Sequence, residues 1–107
     1  MEVRVHLELF SLDTATRASL SAFCDAQARR ALYGHRALVD GATVIVRREA
    51  LPLVGERWTA RVELRLKRPG APTLAVDAKA RRPHRAIEEA VIEAWSALRR
   101  IDGKAAA

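Results

Sequence analysis

Residues 57–67 read Arg57-Trp58-Thr59-Ala60-Arg61-Val62-Glu63-Leu64-Arg65-Leu66-Lys67. Trp58, Ala60, Val62, Leu64 and Leu66 fall on one side of an extended chain, and Arg61, Glu63, Arg65 and Lys67 on the other. A period of two held over this length fits a strand with one buried and one solvated face. Such a strand needs apolar cover on one side only, which predicts a sheet backed by helices.

The flanking segments extend the pattern. Downstream, Pro69-Gly70-Ala71-Pro72 marks a turn, and residues 73–80 alternate again through Leu74, Val76, Ala78 and Ala80. Upstream, Leu51-Pro52-Leu53-Val54-Gly55 breaks the chain after residues 42–48, which are rich in β-branched side chains (Thr43, Val44, Ile45, Val46). Links this short join neighbouring strands, so the three should form an antiparallel meander. Residues 2–10 supply a fourth strand, with Val3, Val5, Leu7 and Leu9 inward and Arg4, His6 and Glu8 outward.

Two helices complete the reading. Asp13 is the expected N-cap of a helix over 13–33, whose stripe is Leu20, Phe23, Cys24, Ala28 and Ala31; Gly34 is expected to end it in a left-handed cap. A second helix opens near Pro83, with Ile87, Ala90, Val91, Ala94, Leu98 and Ile101 as its apolar face and Gly103 as its stop. The predicted class is α+β, in the order β-α-β-β-β-α. It has one four-stranded mixed sheet with both helices on one face, the first two strands parallel across a right-handed crossover. Residues 1–103 read as a single domain and 104–107 as a frayed tail. The open sheet face should carry Arg4, His6, Arg47, Arg61, Glu63, Arg65, Asp77 and Lys79.

Composition narrows the function. Half of the 107 residues are hydrophobic, unlike a disordered tail. The apolar runs are too short to span a membrane. The N-terminus enters a strand at once, without the basic and apolar regions of a signal peptide, so a cytoplasmic location is expected. Cys24 with His6, His35 and His84 has no zinc-ligand spacing, and Cys24 reads as a small buried hydrophobe. No Ser-His-acid or Cys-His pairing and no glycine-rich phosphate loop is suggested. The expectation is a protein without catalysis, cofactor, metal or small-molecule substrate.

Nineteen basic residues face thirteen acidic ones, and sixteen of the nineteen are arginine. Guanidinium grips phosphate bidentately and stacks on bases, although arginine can also serve solubility alone. The candidate RNA contacts cluster at three places. Arg29, Arg30 and Arg36 lie at the end of the first helix, where they also suit the helix dipole. Arg81, Arg82, His84 and Arg85 lie at the start of the second, where a cation opposes the dipole and free N–H groups would suit a phosphate. Arg99 and Arg100 lie at its end. His84 reads as surface-exposed or as a base-stacking ring, and Trp95 as edge packing or base stacking. Trp58 reads as core. The open sheet face lacks exposed aromatics, Phe10 at its margin aside, so the helix side is the expected binding surface, with the arginines of both helices converging into a single cationic strip.

The element order at this length resembles the ribosome hibernation-promoting factor family, the ribosome-associated inhibitor proteins, over essentially the whole chain. Ala78 and Ala80 run into a helix carrying Ala86-Ile87-Glu88, similar to the family's Ala-Ile-acid step, and ending Leu98-Arg99-Arg100, similar to its Leu-basic-basic ending. Trp58 to Leu66 followed by Pro69-Gly70 resembles the family's third strand and hairpin. The chain departs from the family at Arg82 and His84, where an acid and a tyrosine are usual, and at Glu93 and Ser96, often basic. The resemblance implies a short-form factor, lacking the C-terminal domain by which long members pair ribosomes. It would be a monomer or weak dimer that sits in the decoding channel of the small ribosomal subunit, binds its rRNA and blocks translation in stress. A module for another structured RNA, and a protein-interaction domain pairing through an exposed strand edge, stand as alternatives.

Overall fold

The computed structural model describes residues 2–8, 12–53, 55–67, 70 and 73–106, with side chains to residue 101. Leu9, Phe10, Val54, Pro69, Ala71 and Pro72, to which the sequence assigns strand, margin or turn roles, lie outside the described residues. The elements follow the order β1 (Glu2–Glu8), α1 (Thr14–Leu32), a 3-10 turn (Tyr33–His35), β2 (Val39–Leu51), β3 (Gly55–Leu66), β4 (Leu74–Ala80) and α2 (Pro83–Ala106). The strands form one mixed sheet in the order β1-β2-β3-β4. β1 and β2 are parallel, while β3 is antiparallel to both β2 and β4.

The period-two pattern sets the core. Val44, Val46, Ala60, Val62 and Leu64 are buried on one face, joined there by Leu20, Cys24, Ala28 and Leu32 of α1 and by Ala86, Ile87, Ala90, Val91, Ala94 and Leu98 of α2. Trp58 is core, as expected, and the Arg48 guanidinium lies 5.8 Å from its ring centroid. Val3, Val5, Leu7, Val76 and Ala78 on the two outer strands are only partly buried, packed against the edge of this core.

Asp13 caps α1 as its sequence position predicts, its carboxylate accepting from the Thr16 N–H at 2.6 Å. The other end of α1 differs from expectation. Gly34 does not adopt the left-handed conformation; the chain stays right-handed through the 3-10 turn and past Arg36. The Arg29 carbonyl of α1 accepts from the Tyr33 N–H, and the turn beyond continues in the same hand, Arg36 donating to the Tyr33 carbonyl and Leu38 to that of His35. With these bonds available, glycine's special conformation is not needed. Gly103 likewise does not stop α2, which continues to Ala106. One glycine costs a helix interior about 1 kcal/mol relative to alanine, and Lys104, Ala105 and Ala106 are good helix formers.

β2 is longer than the expected 42–48. At its start Val39 pairs with Leu66, and a register shift lies between Val39 and Gly41. Gly41 suits this point: a Cβ would displace the Arg65 guanidinium and sit 2.9 Å from the Glu2 carbonyl oxygen, so the β1 backbone would have to shift. At its end β2 pairs with β3 up to Leu51 opposite Gly55. A long partner strand holds Glu49 and Ala50 extended against their weak strand propensity.

The open face of the sheet is a lattice of ion pairs. Arg4 binds Glu2, and Arg65 approaches Glu2 at 3.8 Å. Arg47 reaches Glu8 at 2.6 Å, Arg57 reaches Glu49 at 2.8 Å, and Arg61 lies between Glu63 at 3.1 Å and Asp77 at 3.3 Å. Five arginines thus meet five carboxylates on this side.

Two measurements test this architecture. Burial pushes the Cys24 thiol up to about 12, so it should resist a thiol reagent at neutral pH in the folded protein and react once the chain is unfolded. Reaction in the native state at the unfolded rate would contradict the packing. The second concerns pH. Hydrogen bonding and charge from Arg4 lower the pKa of Glu2, the Arg57 hydrogen bond lowers that of Glu49, and the Thr16 N–H lowers that of Asp13. Each carboxyl is more acidic folded than unfolded. Its contribution is therefore complete above the unfolded value, 4.5 for Glu and 3.8 for Asp, and fades as pH falls through the folded one. The thermal midpoint should stay level from neutrality down to about pH 5 and fall below about pH 4. Equal midpoints at the two ends would show that these contacts add no stability.

Candidate nucleic-acid interface

The helix side carries the remaining charge. β4 is parallel to β1, so the two helices that return across the sheet run in the same direction. The ring contact between Phe23 and His84, with centroids 4.6 Å apart at 71°, ties the middle of α1 to the start of α2. Gln27, Arg30 and Ala31 then face Glu88, Val91, Ile92 and Trp95. The basic residues consequently gather in two groups along α2, roughly 25 Å apart at 1.5 Å per residue, and not in a single unbroken strip.

The first group surrounds the start of α2. Arg81 and Arg82 follow β4, Pro83 begins the helix, and the Ala86 N–H donates to the Arg82 carbonyl at 3.2 Å. The first turn contains no acidic residue. Lys79, Arg81, Arg82, His84 and Arg85, with Glu88 and Glu89, line an open depression of about 770 Å³. Arg85 is bound by Glu89 at 3.0 Å, one turn on. Arg81 and Arg82 have no carboxylate within 4.0 Å among the described residues. The guanidiniums of Arg81 and Arg82 and the positive end of a helix dipole therefore border the same hollow, with Lys79 of the open sheet face at its rim. His84 is exposed, as the sequence suggests, with its ring against Phe23.

The second group lies where α1 ends beside the later turns of α2. Arg30 lines the cleft next to Trp95, and the Arg99 guanidinium stacks over the Trp95 ring at 4.7 Å. Arg36 stacks over Tyr33 at 4.5 Å and donates to its carbonyl. Arg29 is held by Asp25 at 2.9 Å. Arg100 is exposed on the neighbouring stripe of α2, the one that carries Glu89, Glu93 and Ser96. Of the candidate residues, the structure brings together Arg81, Arg82, His84 and Arg85 at one place, and Arg30 and Arg99 at another. Arg29 and Arg85 are engaged by acids on their own helices, and Arg100 stands apart. Glu88, Glu89 and Glu93 separate the two groups.

Lys79, Gln27 and Ile92 belong to these surfaces and were not singled out by sequence. Lys79 was assigned to the open sheet face, and only the tight junction of β4 with α2 brings it to the hollow. Gln27 and Ile92 sit on helical faces that become a cleft only when two helices are side by side. Among the described residues no group of three His, Cys, Asp or Glu side chains is placed to hold a metal ion, and no helix is long and apolar enough to cross a membrane.

No protein-family model and no curated protein matches the sequence. Solved structures do. The chain is similar to a ribosomal subunit interface protein from Coxiella burnetii, with a TM-score of 0.72 and 12% identity over 96% of this chain and 99% of that one. It is also similar to the N-terminal domain of Protein Y from Thermus thermophilus, with a TM-score of 0.61 and 16% identity over 94% and 99% of the two chains. At these identities the likeness is one of fold, and it takes in nearly the whole of each chain: this protein has the fold of those two.

Proposed function

We propose that this protein is a ribosome-associated factor, a non-enzymatic binder of small-subunit rRNA that occupies the decoding channel and holds translation off in stress. The observation that carries the reading is the segregation of charge. The open-face arginines Arg4, Arg47, Arg57, Arg61 and Arg65 are matched by carboxylates. Arg30, Arg36, Arg81, Arg82, Arg99 and Arg100, on or beside the helices, have none within 4.0 Å among the described residues. Among the described residues, the arginines left without a carboxylate thus gather on the helix side. A polyanion is the partner such a surface suits, each phosphate contact releasing a condensed counterion.

The fold supports the choice of target, since both solved relatives share it and one is described as a ribosomal subunit interface protein. The site would act by occupancy: guanidiniums at the start of α2 and beside Trp95 would hold backbone phosphates, and the body of the domain would exclude other RNA from the same channel. The protein would act in the cytoplasm, as a monomer or weak dimer.

Sedimentation with purified ribosomal subunits tests the target. The protein should comigrate with the small subunit at low salt and leave it at high salt. Binding to free structured RNA but not to the subunit would point to a different RNA target, and binding to neither would overturn the reading. Mutagenesis tests the surface. Arg81→Ala with Arg82→Ala should weaken binding and reduce the slope of log affinity against log salt by about 1.5 to 2. The charge-neutral pair Arg61→Gln with Asp77→Asn on the open face should leave both quantities unchanged.

A further inference from the structure

The seam between α1 and α2 opens into a cleft of about 380 Å³, within the range of small-ligand pockets. Ala31, Val91 and Ile92 provide its apolar lining, Trp95 a flat aromatic surface, Gln27 and Glu88 the polar groups, and Arg30 a cation. Glu88, Ile92, Trp95 and Arg99 recur at spacings of four, three and four, so they form one stripe along α2. This stripe is not buried: Ile92 is 58% exposed and Trp95 37%. The core therefore leaves these side chains unused, and the phosphate contacts proposed above do not need an indole.

We propose that this cleft receives one unstacked nucleobase of single-stranded RNA, with Trp95 as its stacking surface. The inference rests on the RNA-binding reading and adds a base site to its phosphate contacts. The Arg99 guanidinium covers one face of the Trp95 ring at 4.7 Å, so an incoming base would stack on the other face or take the guanidinium's place, leaving it for the adjacent phosphate. Gln27 both donates and accepts hydrogen bonds, and the Glu88 carboxylate accepts from an exocyclic amine or ring N–H. Arg30 and Arg99 flank the stacking surface and suit the phosphates on either side of the base. A purely apolar side chain from a protein would leave Gln27 and Glu88 without partners, which disfavours that occupant.

The test uses fluorescence, because the chain has only two tryptophans and Trp58 is 6% exposed within the core. In a Trp58→Phe variant the emission reports Trp95 alone. A single-stranded oligoadenylate of about eight nucleotides should quench it saturably, and an abasic ribose-phosphate oligomer of equal length should not, because stacking requires the base. In the otherwise native chain, Trp95→Ala should weaken oligoadenylate binding about tenfold, and Trp95→Phe much less. Because Trp95 is partly exposed, these variants should fold, which circular dichroism checks. Equal quenching by the abasic oligomer, or unchanged affinity in Trp95→Ala, would overturn the base site. If Arg81→Ala with Arg82→Ala still weakens binding in that event, the RNA-binding reading survives its loss. If the native chain binds neither oligomer nor the small subunit, both fall together.

Discussion

Val44, Val46, Val62 and Leu64 are buried beneath the helices, whereas Ile45, Arg61 and Glu63, one residue away in each strand, lie on the opposite face. This one-sidedness constrains the rest of the molecule. A sheet with a single apolar face can be covered only from that side, so both helices share it and must lie side by side. The connections then make the helices parallel, which brings Gln27 and Arg30 alongside Glu88 and Trp95. The uncovered face keeps its charges, and the cross-strand register sets them opposite one another: Glu8 opposite Arg47, Arg61 opposite Asp77.

The same constraint shapes the electrostatics. Charges that face each other across strands about 5 Å apart can compensate, and on the open face they do. Helices offer partners only on their own turns or across a seam. Asp25 and Glu89 engage Arg29 and Arg85 in this way. The surplus arginines stay uncompensated at the helix ends and along the seam. A basic composition thereby becomes a molecule whose open-face arginines are matched by carboxylates while most helix-side arginines are not. That difference, more than the total charge, is why the helix layer is the surface proposed for RNA.

Much of this was legible in the sequence because the relevant signals are local. The alternation in residues 57–67, the cap at Asp13 and the stripe from Ile87 to Leu98 each depend on a few neighbouring side chains. What the sequence did not disclose depends on partners distant in the chain. The extra length of β2 comes from the strand beside it. The right-handed course through Gly34 comes from downstream N–H groups that continue the turn in the same hand. The open-face ion pairs depend on register, for example Arg47 with Glu8, 39 positions apart. The division of the helix-side arginines into two groups was missed for a similar reason. Charge clusters are visible along the chain, but the acids between them, Glu88, Glu89 and Glu93, take their places only once the helix direction is known. The cleft around Trp95 needs two helices to exist at all.

Among the described residues, β1 and β4 pair with their neighbours as far as Arg47 and Trp58, while β2 and β3 run on together to Leu51 and Gly55. The result is a narrow two-stranded ribbon projecting past the sheet. Arg57–Glu49 at 2.8 Å and Arg48–Glu56 at 3.7 Å brace it, and Leu53 at its tip is fully exposed with a φ of 68°. Struts of this kind weaken as mobile ions accumulate, whereas the apolar interior beneath the helices does not. The domain is therefore graded in stiffness, a firm body with a finger whose rigidity follows the ionic medium around it.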